Sequence, residues 1–219
     1  MFTAYSTNMP AGRRFWLLLF GAIALNGCAG TTRITPPAAP LEPVPVFLLD
    51  HGRHSSLVLP APDGSLRRYA YGDERCYAQR ETGVGRALAA LLWSTPGVLG
   101  YRQLAGPATT EWVRAQVRVG IREVHSLKLE RERVERLRSR LDSWIARADR
   151  VLPSPAVDLT FVPYPHDYSL RHNSNQVVAD WLRDLGCAVD GRPVLSGWEV
   201  MGSEALEEDP RAPPTPAIR

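Results

Sequence analysis

The chain has almost no lysine. Lys128 is the only one, so nearly all of the 26 basic residues are arginine. It also lacks concentrated positive charge: 26 basic residues stand against 23 acidic ones, a net charge of +3. That excludes a dedicated nucleic-acid binder, whose affinity rests on neutralising many phosphates at once. Cysteine is scarce, with three residues and no CxxC, which excludes a zinc ribbon and a thioredoxin-type motif. No HExxH, glycine-rich phosphate loop or dinucleotide fingerprint occurs, so no metal and no cofactor is expected. Nor is any apolar run near the ~20 residues a membrane-spanning helix needs. What is present is ordinary for a globular protein of 219 residues: 44% hydrophobic and 22% charged.

The N-terminal residues carry an export pattern. Arg13 and Arg14 form a positive start, and an uncharged stretch rich in Leu, Phe and Ala follows from Phe15 to Gly27. It ends in Leu25-Asn26-Gly27-Cys28, the spacing of a bacterial lipoprotein signal, with Asn26 an unusual member. Residues 1–27 are therefore expected to be a signal peptide and Cys28 the lipidated residue. Several acyl chains at ~0.8 kcal/mol per buried methylene make a lasting membrane anchor. A plain signal peptide or signal anchor with a chance cysteine is the alternative. Removal of residues 1–27 takes away two arginines and no acid, leaving 24 − 23 = +1. Ala29 follows Cys28, and no Asp stands there to favour the inner membrane. The expected location is the periplasmic side of the outer membrane. In that oxidising compartment Cys76 and Cys187 can pair, and the sequence leaves the disulfide open.

Residues 28–43 are Pro-, Thr- and Ala-rich after the cysteine and read as an extended tether. Residues 203–219 are acidic, then Pro-rich, and read as a flexible tail. Between them, residues 44–202 are enough for one core. Apolar runs predict strands at Val44–Leu49, Ser56–Leu59, Leu66–Tyr71 and Leu159–Val162, with Pro62-Asp63-Gly64 as a turn. Alternating Val113, Ala115, Val117, Val119 and Ile121 predict a further half-buried strand. Helices are expected at Val84–Trp93, Glu130–Arg150 and Asn173–Leu185. In the second, Val134, Leu137, Leu141, Trp144, Ile145 and Ala148 make one stripe. Its arginine-rich opposite face interleaves acids and reads as a solvated, salt-laced surface rather than a lipid- or glycan-binding one. This mixed order fits α+β better than a doubly wound sheet.

Two segments could carry chemistry. Asp50-His51-Gly52-Arg53-His54-Ser55-Ser56 places two histidines at the mouth of a strand, where an imidazole can exchange protons near neutral pH. Structural loop histidines would look the same. Tyr168-Ser169-Leu170-Arg171-His172-Asn173-Ser174-Asn175 leads into the last helix. A nucleophile there gains from unpaired N–H groups and the positive end of the helix dipole. Asn and Ser are also the residues that simply cap helices. Metal binding through His51, His54 and an acid is a weaker reading, because two histidines are not a full ligand set.

Taken together, several motifs resemble an uncharacterised bacterial family of urease-cluster-associated conserved hypothetical proteins, often lipoproteins. They are His51-Gly-x-His54-Ser-x-Leu-Val-Leu, Tyr71-Gly72-Asp73, the Asn173-x-Asn175 helix entry and Trp181-Leu182-Arg183-x-Leu185-Gly186-Cys187. That family in turn is similar to circularly permuted papain-like (NlpC-type) domains, with the histidine strand first and the nucleophile helix last. The resemblance covers most of residues 44–200. It implies a permuted papain-like α+β domain with a small, mostly antiparallel sheet packed against helices. His54 matches the histidine, and Ser174 falls where the family pattern most often has cysteine. Asp73 is the candidate orienting residue, Tyr71 its reserve, and His51, Asn173 and Asn175 line or support the cleft. A cysteine at that place becomes a thiolate, whereas a serine hydroxyl is far too weak an acid for the same dipole to ionise. The expected function is a non-catalytic envelope binding module for a wall fragment, a lipid or a protein. The alternative is a Ser/His hydrolase or acyltransferase acting on cell-wall peptide or a lipid ester, its oxyanion held by N–H groups near Ser174–Asn175.

Overall fold

The computed structural model describes residues 31–77 and 94–202. The signal segment with Cys28, the predicted helix at 84–93 and the tail at 203–219 lie outside the described residues, as does the side chain of Cys76. The architecture is mixed α+β. Strands β1 (Thr32–Thr35), β2 (Pro43–Asp50), β3 (Ser55–Pro60) and β4 (Leu66–Asp73) come first. The short helix α1 (Glu74–Tyr77), β5 (Gly97–Leu104), α2 (Thr110–Gln116), β6 (Glu123–Glu130) and α3 (Arg131–Ala146) follow. The chain continues through β7 (Leu152–Ser154), β8 (Leu159–Pro163), α4 (Ser174–Asp184), β9 (Ala188–Asp190) and β10 (Trp198–Val200).

Seven strands form one sheet in the order β6-β2-β3-β4-β5-β8-β7, every neighbouring pair antiparallel. It is larger than the small sheet expected from the sequence. Both of its faces are covered, which is why β2 reads as an unbroken apolar run. Successive side chains point to opposite faces. Val46 and Leu48 therefore join the core under α3 and α4, while Phe47 and Leu49 join a second core with Val113 and Val117. On the first face, α3 contributes Val134, Leu137 and Leu141, and α4 contributes Val177, Val178, Trp181 and Leu182. Each such side chain stabilises the packing by roughly 1.5–3 kcal/mol.

Two expectations fail. Residues 113–121 are not a strand: α2 occupies Thr110–Gln116, capped by Thr109, whose Oγ1 accepts from the Trp112 N–H at 3.3 Å. Val113 and Val117 are buried four residues apart, the helical repeat, whereas Ala115 between them is exposed. The strand alternation required Ala115 inside. Nor are residues 28–43 wholly a tether. β1 pairs with β9 and β10 in a second, three-stranded sheet, and Ile34 is fully buried against the main core.

Close approach fixes one glycine in the main sheet. A Cβ on Gly97 would collide with the His166 carbonyl and the Tyr71 hydroxyl. The absence of a side chain there lets the Tyr71 hydroxyl donate to the His166 carbonyl at 2.7 Å.

Candidate functional site

The β2–β3 hairpin and the start of α4 meet at one place. Asp50 pairs with Ser55, and residues 51–54 make the loop, closed by the His51 N–H donating to the His54 carbonyl at 2.9 Å. Gly52 sits in this loop at φ +88°, a conformation that costs glycine little. The Asp50 carboxylate fixes the turn: its Oδ1 accepts from the Gly52 N–H at 2.6 Å and from the Ser196 hydroxyl at 2.5 Å. Both histidines are thereby presented on a rigid loop.

His54 faces Ser174. Nδ1 lies 3.0 Å from Oγ, within reach for a hydroxyl to donate to an imidazole. Ser174 is the first residue of α4 and only 1% exposed. Burial first, then the charges of His51 and Arg53, lower the His54 pKa from 6.5 to about 4. The ring is therefore neutral at pH 7 and able to accept a proton. It is also a weak base, because a good general base has a pKa near the working pH.

Asn175 ties the two halves together. The Ser55 hydroxyl donates to its Oδ1 at 2.9 Å, and its Nδ2 donates to the Arg53 carbonyl at 2.9 Å and to the Val194 carbonyl at 3.3 Å. The two residues that flank His54 are thus bonded to the residue that follows Ser174. Trp198 Nε1 donates to the same Ser55 hydroxyl at 2.7 Å, which anchors β10 to the hairpin. Asn173 is the helix cap, accepting from the N–H groups of Asn175 and Gln176 at 2.9 and 3.1 Å.

That cap corrects the expected oxyanion hole. The Asn175 N–H is already satisfied by Asn173, as is that of Gln176. The Ser174 N–H has no such partner among the described residues, so it is the one backbone donor left at this end.

The expected orienting residue makes a different contact. Asp73 is buried at the end of β4, and its Oδ1 accepts from the Arg75 N–H at 2.9 Å. The reserve, Tyr71, is buried too, with its hydroxyl bonded to the His166 carbonyl and its ring against Tyr168 and His172. Burial raises its pKa. It props the segment leading to α4 rather than the imidazole.

His51 is held for structure. Its Nδ1 lies 2.7 Å from the Gly120 carbonyl, which only accepts, so Nδ1 carries the proton. Nε2 then accepts from the Ser56 hydroxyl at 3.0 Å and from Arg68 Nη2 at 3.2 Å, while Arg68 Nε donates to Ser56 Oγ at 3.1 Å. A second proton on this ring would face the Arg68 guanidinium. Burial first and that cation next lower its pKa to about 4. The same arrangement opposes a metal ion at Nε2. Among the described residues, no three His, Cys, Asp or Glu side chains are grouped to hold a metal.

Cys187 is a buried free thiol, its pKa pushed up to about 12 by burial. Cys187 is unpaired in the structure, and its buried, protonated thiol is no substitute nucleophile; the side chain of Cys76 lies outside the described residues. Asp50, Ser55, Ser196 and Trp198 were not singled out by the sequence. The loop motif Asp-x-Gly could have revealed Asp50, since an Asp two residues before a glycine commonly bonds its N–H. No local signal marks Trp198.

Comparison with protein-family models, with curated proteins and with solved structures gives no match.

Proposed function

We propose that the chain is an exported, lipid-anchored cell-envelope protein whose permuted papain-like domain binds a ligand rather than turning it over. The order of parts supports the permuted reading: the histidine hairpin comes early, the serine helix late, and the two meet through contacts 120 residues apart in sequence. The observation that carries the non-catalytic reading is the setting of Ser174. Its residue is 1% exposed, and Asn173 consumes the two backbone donors that follow it. A hydroxyl nucleophile needs a well-matched base and an oxyanion hole together. Here a single backbone N–H and an imidazole of pKa about 4 are on offer. The ligand classes that fit an envelope location are a cell-wall peptide, a lipid or a protein partner.

One observation favours the second reading, a Ser/His hydrolase of amides or esters: the 3.0 Å approach of His54 Nδ1 to Ser174 Oγ. A fluorophosphonate probe separates the two. The full chain, folded by circular dichroism, is treated and its intact mass read, with Ser174→Ala and His54→Ala alongside. The binding-module reading expects no adduct. A single adduct on the parent chain that disappears in both variants would establish an activated serine instead.

A further inference from the structure

A cavity bounded by described residues lies apart from the Ser174–His54 pair. It measures about 270 Å³ and lies along α4 and the segments on either side of it. Gln176, Asp180 and Arg183 line it from the helix, at positions i, i+4 and i+7. That stripe faces away from Ser174, Val177, Val178 and Trp181. Arg171 and His172 close it from the segment before the helix, and Arg192 from the loop after β9.

Its charge is one-sided. Three arginines face it and Asp180 is the only acid. Asp180 is committed to Arg183, whose Nη1 donates to it at 2.7 Å. The other Arg183 amine donates to the carbonyls of Val189 and Gly191 at 3.1 and 3.3 Å, so this guanidinium is fixed in place. Arg171 and Arg192 have no hydrogen-bond or ion-pair partner among the described residues. The surface of α3 is arranged differently, with Arg133, Arg136, Arg138 and Arg140 each facing a carboxylate. His172 adds a rigid wall, held edge-on by Tyr71 and His166.

Guanidinium groups recognise phosphate and carboxylate oxygens by paired N–H donors. Three arginines less one aspartate leave two positive charges at the cavity, the complement of a phosphate monoester at neutral pH. The volume is slightly below the ~300 Å³ at which pockets begin to enclose drug-sized ligands. We infer that the Arg171–Arg183–Arg192 cavity is a binding site for a phosphate-bearing group, as a small soluble phosphoester or as the headgroup of an anionic lipid. The inference is independent of whether Ser174 is active, because no residue of that pair lines the cavity.

The test uses the full chain and the variant Arg171→Gln/Arg192→Gln. Both side chains are exposed and support no other group, and unchanged melting in chloride verifies the fold. Binding of inorganic phosphate and of glycerol 3-phosphate is measured by titration calorimetry at fixed ionic strength. Binding to phosphatidylglycerol vesicles is measured against phosphatidylcholine. Each lost charge-assisted contact should weaken binding by about tenfold or more. Phosphate and glycerol phosphate bound by the parent chain and weakened in the variant would support the site with a soluble ligand. Vesicle binding alone, lost in the variant, would support it with a lipid headgroup. No binding of any probe, or binding unchanged in the variant, would overturn it.

Discussion

Ser55 and Asn175 are joined by a buried hydrogen bond, hydroxyl to carboxamide at 2.9 Å, and that bond sets the distance between His54 and Ser174. Each partner of the bond is the immediate chain neighbour of one member of the pair. The apolar core beneath them is non-directional, so register between hairpin and helix comes from polar bonds, this one with the Asn175–Arg53 and His54–Ser174 contacts. The polar clasp supplies the register.

Asn175→Ala should therefore be costly. It leaves the buried Ser55 hydroxyl without its acceptor and the part-buried Arg53 carbonyl without its donor. Unsatisfied buried groups cost about 1–3 kcal/mol each. The expected result is a urea midpoint lowered by an amount equivalent to roughly 2–4 kcal/mol. A midpoint equal to the parent's would show that the clasp contributes nothing.

The same geometry should serve a thiol better than it serves the hydroxyl. Ser174→Cys places a thiol at the first turn of α4 beside a neutral imidazole. A free cysteine titrates near 8.5, and a helix N-terminus with a histidine lowers that by several units. Positions 174 and 187 are both buried, so the readout is relative. Peptide mapping after iodoacetamide treatment at pH 7 should show position 174 alkylated faster than Cys187, which follows the C-terminal end of α4, and slowed in Ser174→Cys/His54→Ala. Equal rates with and without His54 would mean the imidazole does not activate this position.

How much of this was legible in the sequence follows from where the determining contacts lie. α3 and α4 were readable because a single face of each is buried and the period is internal to the segment. β2 was readable because both its faces are covered. β1 was not. It is four residues long, and its partners lie more than 150 positions away at β9 and β10. At residues 113–117 the alternation of Val113 and Val117 fits strand and helix equally, and only the outward Ala115 decides. In the site, His54 and Ser174 are picked out through the family resemblance, because the loop motif and the capping motif alone fit structural histidines and a plain helix cap equally well. Asp73 is chosen by adjacency on the next strand, which does not fix the direction of a carboxylate, and in the structure its Oδ1 accepts from the Arg75 N–H. Asp50, in plain view beside His51, holds the loop instead.

Acid should unfold the protein through its histidines. His51 and His54 each have a folded-state pKa near 4 against an ordinary 6.5. Between those values the unfolded chain binds more protons, so stability rises with pH there. It is fully present above about 6.5 and is lost as the pH falls towards 4. Each ring accounts for up to about 3 kcal/mol. The two are not additive, because His51 itself lowers His54. Urea midpoints should fall steeply from pH 7 to 4.5, and His54→Gln should flatten part of the slope. A profile identical in the variant would mean His54 does not titrate in this window.

Asp142 was read as one acid of a solvated helix face, but it is a junction between α3 and the sheet. It accepts from the Tyr69 hydroxyl at 2.6 Å, from Arg67 at 2.9 Å and from Arg138 at 3.1 Å. Tyr69 is completely buried. Asp142→Ala removes the acceptor for all three and should cost about 3 kcal/mol. Arg136→Ala, which breaks only an exposed pair with Glu132 on the same helix, should change stability by less than about 0.5 kcal/mol. Equal effects of the two substitutions would return Asp142 to the solvated face.

Lipidation is a separate matter from the fold, and it rests on Cys28 alone. Among the described residues no helix is long and apolar enough to cross a membrane; the proposed anchor is lipid on Cys28. A diacylglyceryl thioether with a further N-acyl chain contributes enough buried methylenes, at ~0.8 kcal/mol each, to hold the protein on a bilayer. Full-length chain expressed in a bacterial host fed labelled palmitate should incorporate label and sediment with membranes. Cys28→Ser should lose the label and accumulate as uncleaved precursor, because cleavage by the lipoprotein pathway follows acylation of that thiol. Label retained in Cys28→Ser, or a parent chain cut at another residue and recovered without lipid, would reduce residues 1–27 to an ordinary export signal.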